Sequence, residues 1–249
     1  MKLFLTSSPG GSACVNGIWG PASFDKSNGF LDRFKKACMG AKSCLIISSD
    51  PDHMAMNDEM RNFYAEAFRH SHMNVTKVDI CDHRNEQSVI CRLHDYDVLI
   101  LSGGHVPTEN AFFHRLRLRE RIQHYRGAVV GISAGTMNCA EVVYAAPEEP
   151  GEAIDPEYQK YIQGLGLTNI NILPHFQKIW DTKLDGLHMV NDICVPDSRV
   201  RPIYALPDGS YFYKENGKTT LYGEAWMFHK GRCTKLCKYG ASVEVDDVY

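Results

Sequence analysis

The chain has 249 residues and a mass of 28.1 kDa, is 44% hydrophobic and 23% charged, and carries a formal net charge of −3. At this length folding buries about 70–75% of the unfolded surface, so a single α/β domain over residues 1–249 is expected, with no need of disulfide or metal staples. The near-neutral balance leaves no basic footprint for nucleic acid, and no apolar run approaches the ~20 residues of a membrane span. Leu3-Phe4-Leu5 behind Lys2 is too short for a secretory signal, and the nine cysteines, scattered from Cys14 to Cys237 without a C-x-x-C pair, read as free thiols. Both features point to a cytoplasmic protein without a membrane partner.

In chain order, β-rich runs at 2–6, 43–48, 74–79, 97–102 and 128–132 alternate with helical spacing at 24–38, 56–70, 86–93 and 111–125. The strand runs are mostly Val, Ile and Leu without period-2 alternation, as in strands covered on both faces, and the order predicts a mainly parallel, doubly wound sheet flanked by helices. Residues 7–23, with Pro9, Gly10, Gly11, Gly17, Gly20 and Pro21, are expected to form an irregular loop bordering a pocket at the strand ends. Beyond Pro147 the texture changes to short strands at 169–173, 203–206, 211–214 and 219–222, with Asp208-Gly209 and Asn216-Gly217 as turns. These predict antiparallel C-terminal strands added to the sheet.

The most informative stretch runs from Ala128 to Asn138, where an apolar strand enters Gly131-Ile132-Ser133-Ala134-Gly135 and continues into helix-compatible sequence through Tyr144. Gly-x-Ser-x-Gly between strand and helix is the nucleophile-elbow pattern, which needs glycines because side chains there would strike neighbouring backbone. The amide of Ala134 is the natural first donor to an oxyanion, and the strand ending in Ser102-Gly103-Gly104-His105 offers a second set of N–H groups.

A serine needs a base, and eleven histidines are available. His53, His70, His72, His83, His94, His114, His124, His188 and His229 fall in polar or helix-surface contexts. His175 closes the run Ile170-Asn171-Ile172-Leu173 through Pro174, which places an imidazole at a strand's carboxyl end; His105 is the reserve. The acid that orients the imidazole is read as Asp208, with Asp181, Asp185, Asp192 and Asp197 as alternatives.

With these residues in view the chain resembles the dipeptidase E and cyanophycinase family of serine peptidases, built on the class I glutamine amidotransferase-like fold. The landmarks are Leu101-Ser102-Gly103-Gly104, the serine elbow, Leu173-Pro174-His175-Phe176 and Ala205-Leu206-Pro207-Asp208-Gly209-Ser210, in the family's order. The resemblance implies a Ser133, His175 and Asp208 triad, oxyanion donors at Gly104 and Ala134 and no cofactor; no metal is expected, because there is no H-E-x-x-H and Cys233 and Cys237 lack a second pair. The resemblance also implies a short peptide as substrate and allows a homodimer. Gly103, His105, Arg199 and Arg201 become candidate substrate contacts, the arginines because an aspartyl dipeptidase must read a substrate carboxylate. The acid of aspartyl dipeptidase is a glutamate, so Asp208 is one methylene short, and His105 departs from the family's usual residue after its glycines.

Two other readings compete. Glutamine amidotransferases of this fold use a cysteine nucleophile and place glutamate two residues after the histidine, where this chain has Ser133 and Gln177; Cys139 falls inside the predicted helix. A non-catalytic binding module is the alternative from another class. The run Arg115, Arg117, Arg119, Arg121 and Arg126 offers it a basic surface, although Glu120 and the interleaved leucines read as the solvated face of a helix.

Overall fold

The apolar runs form the middle of an eight-stranded sheet. In the computed structural model, which describes residues 1–247, Lys77–Cys81, Ser43–Ile47, Val98–Leu101, Ala128–Ile132 and Lys2–Thr6 lie side by side and parallel in that order. Tyr211–Glu215, Lys218–Tyr222 and Ser242–Val245 extend the sheet beyond Lys2–Thr6 in antiparallel pairing. Every residue of Val98–Leu101 and Ala128–Ile132 is buried, because helices cover both faces.

Alternate residues of each strand feed two cores. Leu3, Leu5, Leu99, Leu101 and Val129 pack with Phe112, Phe113, Leu118 and Ile122 from the helices Val106–Arg115 and Leu118–Ile122. Phe4, Ile46, Ile100 and Val130 pack with Phe30, Phe34, Ala67 and Phe68 from Phe30–Ala37 and Met54–His70. Each such side chain contributes about 1.5–3 kcal/mol of apolar burial, which clamps the sheet and fixes where its strand ends emerge.

Several expected elements are corrected. The 7–23 loop is instead a hairpin of Gly10–Val15 and Ile18–Phe24, turned by Asn16 and Gly17 at φ 52° and 81°. Asn-Gly is the strongest two-residue hairpin signal, and here it outweighs the surrounding Pro and Gly. The first helix begins only at Phe30, after that hairpin. Arg117, at φ 51°, splits the 111–125 helix into Val106–Arg115 and Leu118–Ile122. The helix after Ser133 is the single turn Ala134–Met137, and the β-branched pair Val142-Val143 lies in a strand, Val142–Tyr144.

Ile203–Ala205 does not join the main sheet. It lies parallel to Asn171–Leu173 in a second sheet of four strands completed by Ala225–His229 and Arg232–Cys237. The two sheets bring different parts of the chain to one edge.

Candidate active site

The elbow is built by backbone strain and by two threonines, Thr6 and Thr136. Ser133 has φ 51° and ψ −114°, a conformation that costs on the order of 1–3 kcal/mol and projects the side chain out of the strand-to-helix turn. Thr6, ending the adjacent strand, secures it. Its carbonyl accepts from the Ser133 amide at 3.1 Å and from Thr136 Oγ1 at 2.8 Å, and its hydroxyl donates to the Gly131 carbonyl at 2.7 Å. A Cβ on Gly131 would stand 2.7 Å from Thr136 Cα, and one on Gly135 would stand 2.2 Å from the Leu101 carbonyl oxygen. Both glycines are therefore demanded by close backbone approach.

The 103–104 loop lies against the serine. A Cβ on Gly103 would sit 3.1 Å from Ser133 Cβ, and one on Gly104 would sit 2.5 Å from Ser49 Oγ. Ser49 holds this loop in place, its amide donating to Ser102 Oγ at 2.8 Å and its hydroxyl to the Gly103 carbonyl at 2.7 Å. No acceptor among the described residues takes the amide of Gly104 or Ala134.

His175 and Asp208 leave the same end of neighbouring parallel strands. Leu173 and Ala205 are in register, the Leu206 amide donates to the Leu173 carbonyl at 2.9 Å, and the Phe176 amide donates to the Leu206 carbonyl at 3.1 Å. Buried Phe176, ringed by Trp180, Trp226 and Phe228, anchors the backbone beside His175, which takes the left-handed φ of 54°. The result is a hydrogen-bonded series: Ser133 Oγ lies 3.0 Å from His175 Nε2, and His175 Nδ1 lies 2.7 Å from Asp208 Oδ1.

Two further residues complete this series, and neither was singled out for the role from sequence. Ser7 Oγ accepts from the His175 amide at 2.7 Å and donates to Asp208 Oδ1 at 2.8 Å. Gln177 donates to Asp208 Oδ2 at 2.6 Å and accepts from the Asp208 amide at 3.0 Å. Burial alone would raise the Asp208 carboxyl, but hydrogen bonds from His175, Ser7 and Gln177 and the imidazole's charge outweigh it and bring the group down to about 2. Gln177, a departure from the amidotransferase pattern, braces the carboxylate with its amide.

Ser133 and His175 open into a cleft of about 630 Å³. Its floor is Ser102, Gly103, Gly104 and Ile132, and its wall is Met56, Glu59, Met60, Phe63 and Tyr64 of Met54–His70. That wall had no signal beyond helical spacing, since what a helix faces depends on packing. The expected borders, 7–23 and 148–161, do not line the cleft; the hairpin supports the wall from behind, with Gly11 close to Phe63 and Ala67. A cavity of similar size, about 640 Å³, is lined by Lys2, Asp32, Arg33 and Lys36 among others and contains no serine or histidine.

The remaining candidates lie elsewhere. His105 is not beside Ser133 but bonded at 2.8 Å to both Thr108 and Glu152, tying the 148–161 segment to the loop after the glycines. His105, Glu149 and Glu152 bring ligand atoms within 4.8 Å of one another, a set able to hold a cation, although His105 Nε2 and Glu152 Oε1 are already bonded to each other. Arg199 packs beside Gly231, and Arg201 precedes Ile203–Ala205, at the end of that strand opposite Asp208. Neither arginine lines the cleft. Cys139 is buried with its thiol on the Gly135 carbonyl, and burial pushes its pKa far up, which suits a packing role rather than a nucleophile.

A serine, an imidazole and a carboxylate in series at the carboxyl edge of an α/β sheet are the groups a serine hydrolase uses. A profile of peptidase family S51 matches residues 40–222, well over half of the chain, so the protein belongs to that family and is a serine peptidase. Among solved structures it is similar to a protein of Listeria monocytogenes EGD-e described as a candidate peptidase E. That likeness covers 95% of this chain and 98% of that one, at 15% identity and a TM-score of 0.55, and shows a shared fold. No curated protein matches the chain in sequence.

Proposed function

We propose that the protein hydrolyses short peptides with Ser133 as nucleophile, His175 as general base and Asp208 as the acid that orients it, all within one domain. The observation that carries this reading is the unbroken series of hydrogen bonds from Ser133 Oγ through both ring nitrogens of His175 to Asp208, at 3.0 and 2.7 Å. In it, Ser133 Oγ attacks the scissile carbonyl carbon while its proton passes to His175 Nε2. The amides of Gly104 and Ala134 take the oxyanion, and His175 returns the proton to the leaving amine. Water then repeats the cycle on the acyl-enzyme. Losing one oxyanion donor in such a site costs about 3 kcal/mol, or about 100-fold in rate.

In this reading a short peptide lies in the cleft between the helix Met54–His70 and the loop of Gly103 and Gly104. A dipeptide library incubated with the wild type and with Ser133→Ala tests the proposal. Turnover is expected from the wild type only, with identical circular dichroism for the two proteins. Cleavage by Ser133→Ala at the wild-type rate overturns the assignment.

A further inference from the structure

The resemblance to aspartyl dipeptidases raises the expectation of a cationic pocket, yet the cleft has the opposite charge. Glu59 is the one carboxylate among its lining residues, and no lysine or arginine lines it among the described residues. Arg199 and Arg201, which would read a substrate carboxylate, lie away from it.

Glu59 also differs from the other acids of its helix. Asp58 pairs with Arg84 at 2.9 Å and with Arg61 at 3.7 Å, and Glu66 pairs with Arg69 at 2.5 Å. Glu59 has no cationic partner among the described residues. Its neighbours at i−3 and i+4 are Met56 and Phe63, so an exposed, unpaired carboxylate lies beside apolar side chains on the helix that borders the same cleft as Ser133. Glu59 is exposed, so water screens its charge, and it adds a modest attraction for a cation and a modest repulsion of an anion at the edge of the cleft.

We propose, resting on the hydrolase reading above, that Glu59 is a specificity-determining residue that pairs with a protonated amine of the substrate, so that the protein selects cationic short peptides and rejects those beginning with aspartate. The ammonium comes either from the free amino terminus or from a basic side chain, and both present the same chemistry to Glu59. The methionines and Phe63 take the apolar stem of the same residue.

The test uses aminoacyl-coumarin amides of Lys, Leu and Asp, each with a free and an acetylated amino terminus, together with fluorophosphonate labelling to show that Ser133 is reactive. With free amino termini throughout, the wild type is expected to favour the Lys and Leu substrates over the Asp substrate by about two- to fivefold in kcat/KM. A Lys preference that survives acetylation assigns the side chain, and a loss on acetylating the Leu substrate assigns the amino terminus. Glu59→Gln should remove most of that preference through KM, and Glu59→Lys should turn it toward Asp. If labelled Glu59→Gln keeps the wild-type order, or if the labelled wild type prefers Asp, the proposal is overturned while the hydrolase reading stands. A folded wild type that neither labels nor turns over overturns both.

Discussion

Asp208 accepts from His175, Ser7 and Gln177, and these bonds fix its charge as well as its position. Its carboxyl is held near 2 in the folded protein against an ordinary 3.8, so its favourable contribution to stability is present above about 4 and is lost as pH falls toward 2. Asp208→Asn should therefore flatten the fall in stability between pH 4 and 2, measurable by denaturant titration. The same change should lower kcat by about 10⁴ at neutral pH, because an amide stabilises the wrong imidazole tautomer. A small effect would move the orienting role to another acid. Ser133, His175 and Asp208 could be found in sequence because each sits where a strand run ends in a turn motif. Ser7 and Gln177 could not, since their contacts with Asp208 are made across 201 and 31 positions and depend on the packing of two sheets.

At the scale of elements, Asn138 links the elbow turn to the helix Val106–Arg115 by donating to the Val106 carbonyl at 3.2 Å. Gly135 admits no Cβ, since the nearest backbone oxygen would be 2.2 Å away. Gly135→Ala should accordingly cost about 3 kcal/mol or more in stability, read from urea melts, and should reduce turnover of whatever molecules still fold. Behind the turn, Asn138 donates to Glu109 Oε2 at 2.9 Å, while Glu109 Oε1 is buried without a partner among the described residues. Burial pushes the Glu109 carboxyl well above its usual value. A raised carboxylate supports the fold at low pH and loses that contribution as pH rises through its folded pKa. Glu109→Gln, which keeps the Asn138 bond, should remove this alkaline loss, and thermal melts between pH 5 and 9 would register it as a flatter profile. The strands were legible because Val, Ile and Leu runs buried on both faces leave an unmistakable composition. The hairpin at 10–24 is hard to read because its Pro and Gly content masks the Asn16-Gly17 turn, and the helix after Ser133 is shorter than the helix-compatible residues up to Val142 suggest.

In the whole molecule, the site exists only where two sheets meet. The main sheet delivers Ser133 and the 103–104 loop, the second sheet delivers His175 and Asp208, and Ser7 at the end of the first strand bonds across to both members of the second set. The apolar runs are enough to predict an α/β fold, but the expectation that Ser133 and His175 share one sheet edge is corrected, because Asn171–Leu173 and Ile203–Ala205 belong to the second sheet. The division into two sheets was not readable, because whether Ile203–Ala205 pairs with Asn171–Leu173 or with the main sheet is decided by packing around Phe176 and Phe228. The most direct measurement is mass spectrometry of the intact and digested protein after treatment with a fluorophosphonate. A single adduct on Ser133, formed slowly or not at all in His175→Ala, is the expected result. An unmodified Ser133 in folded wild-type protein, or equal labelling of the His175→Ala variant, would contradict the activation of this serine by its neighbours.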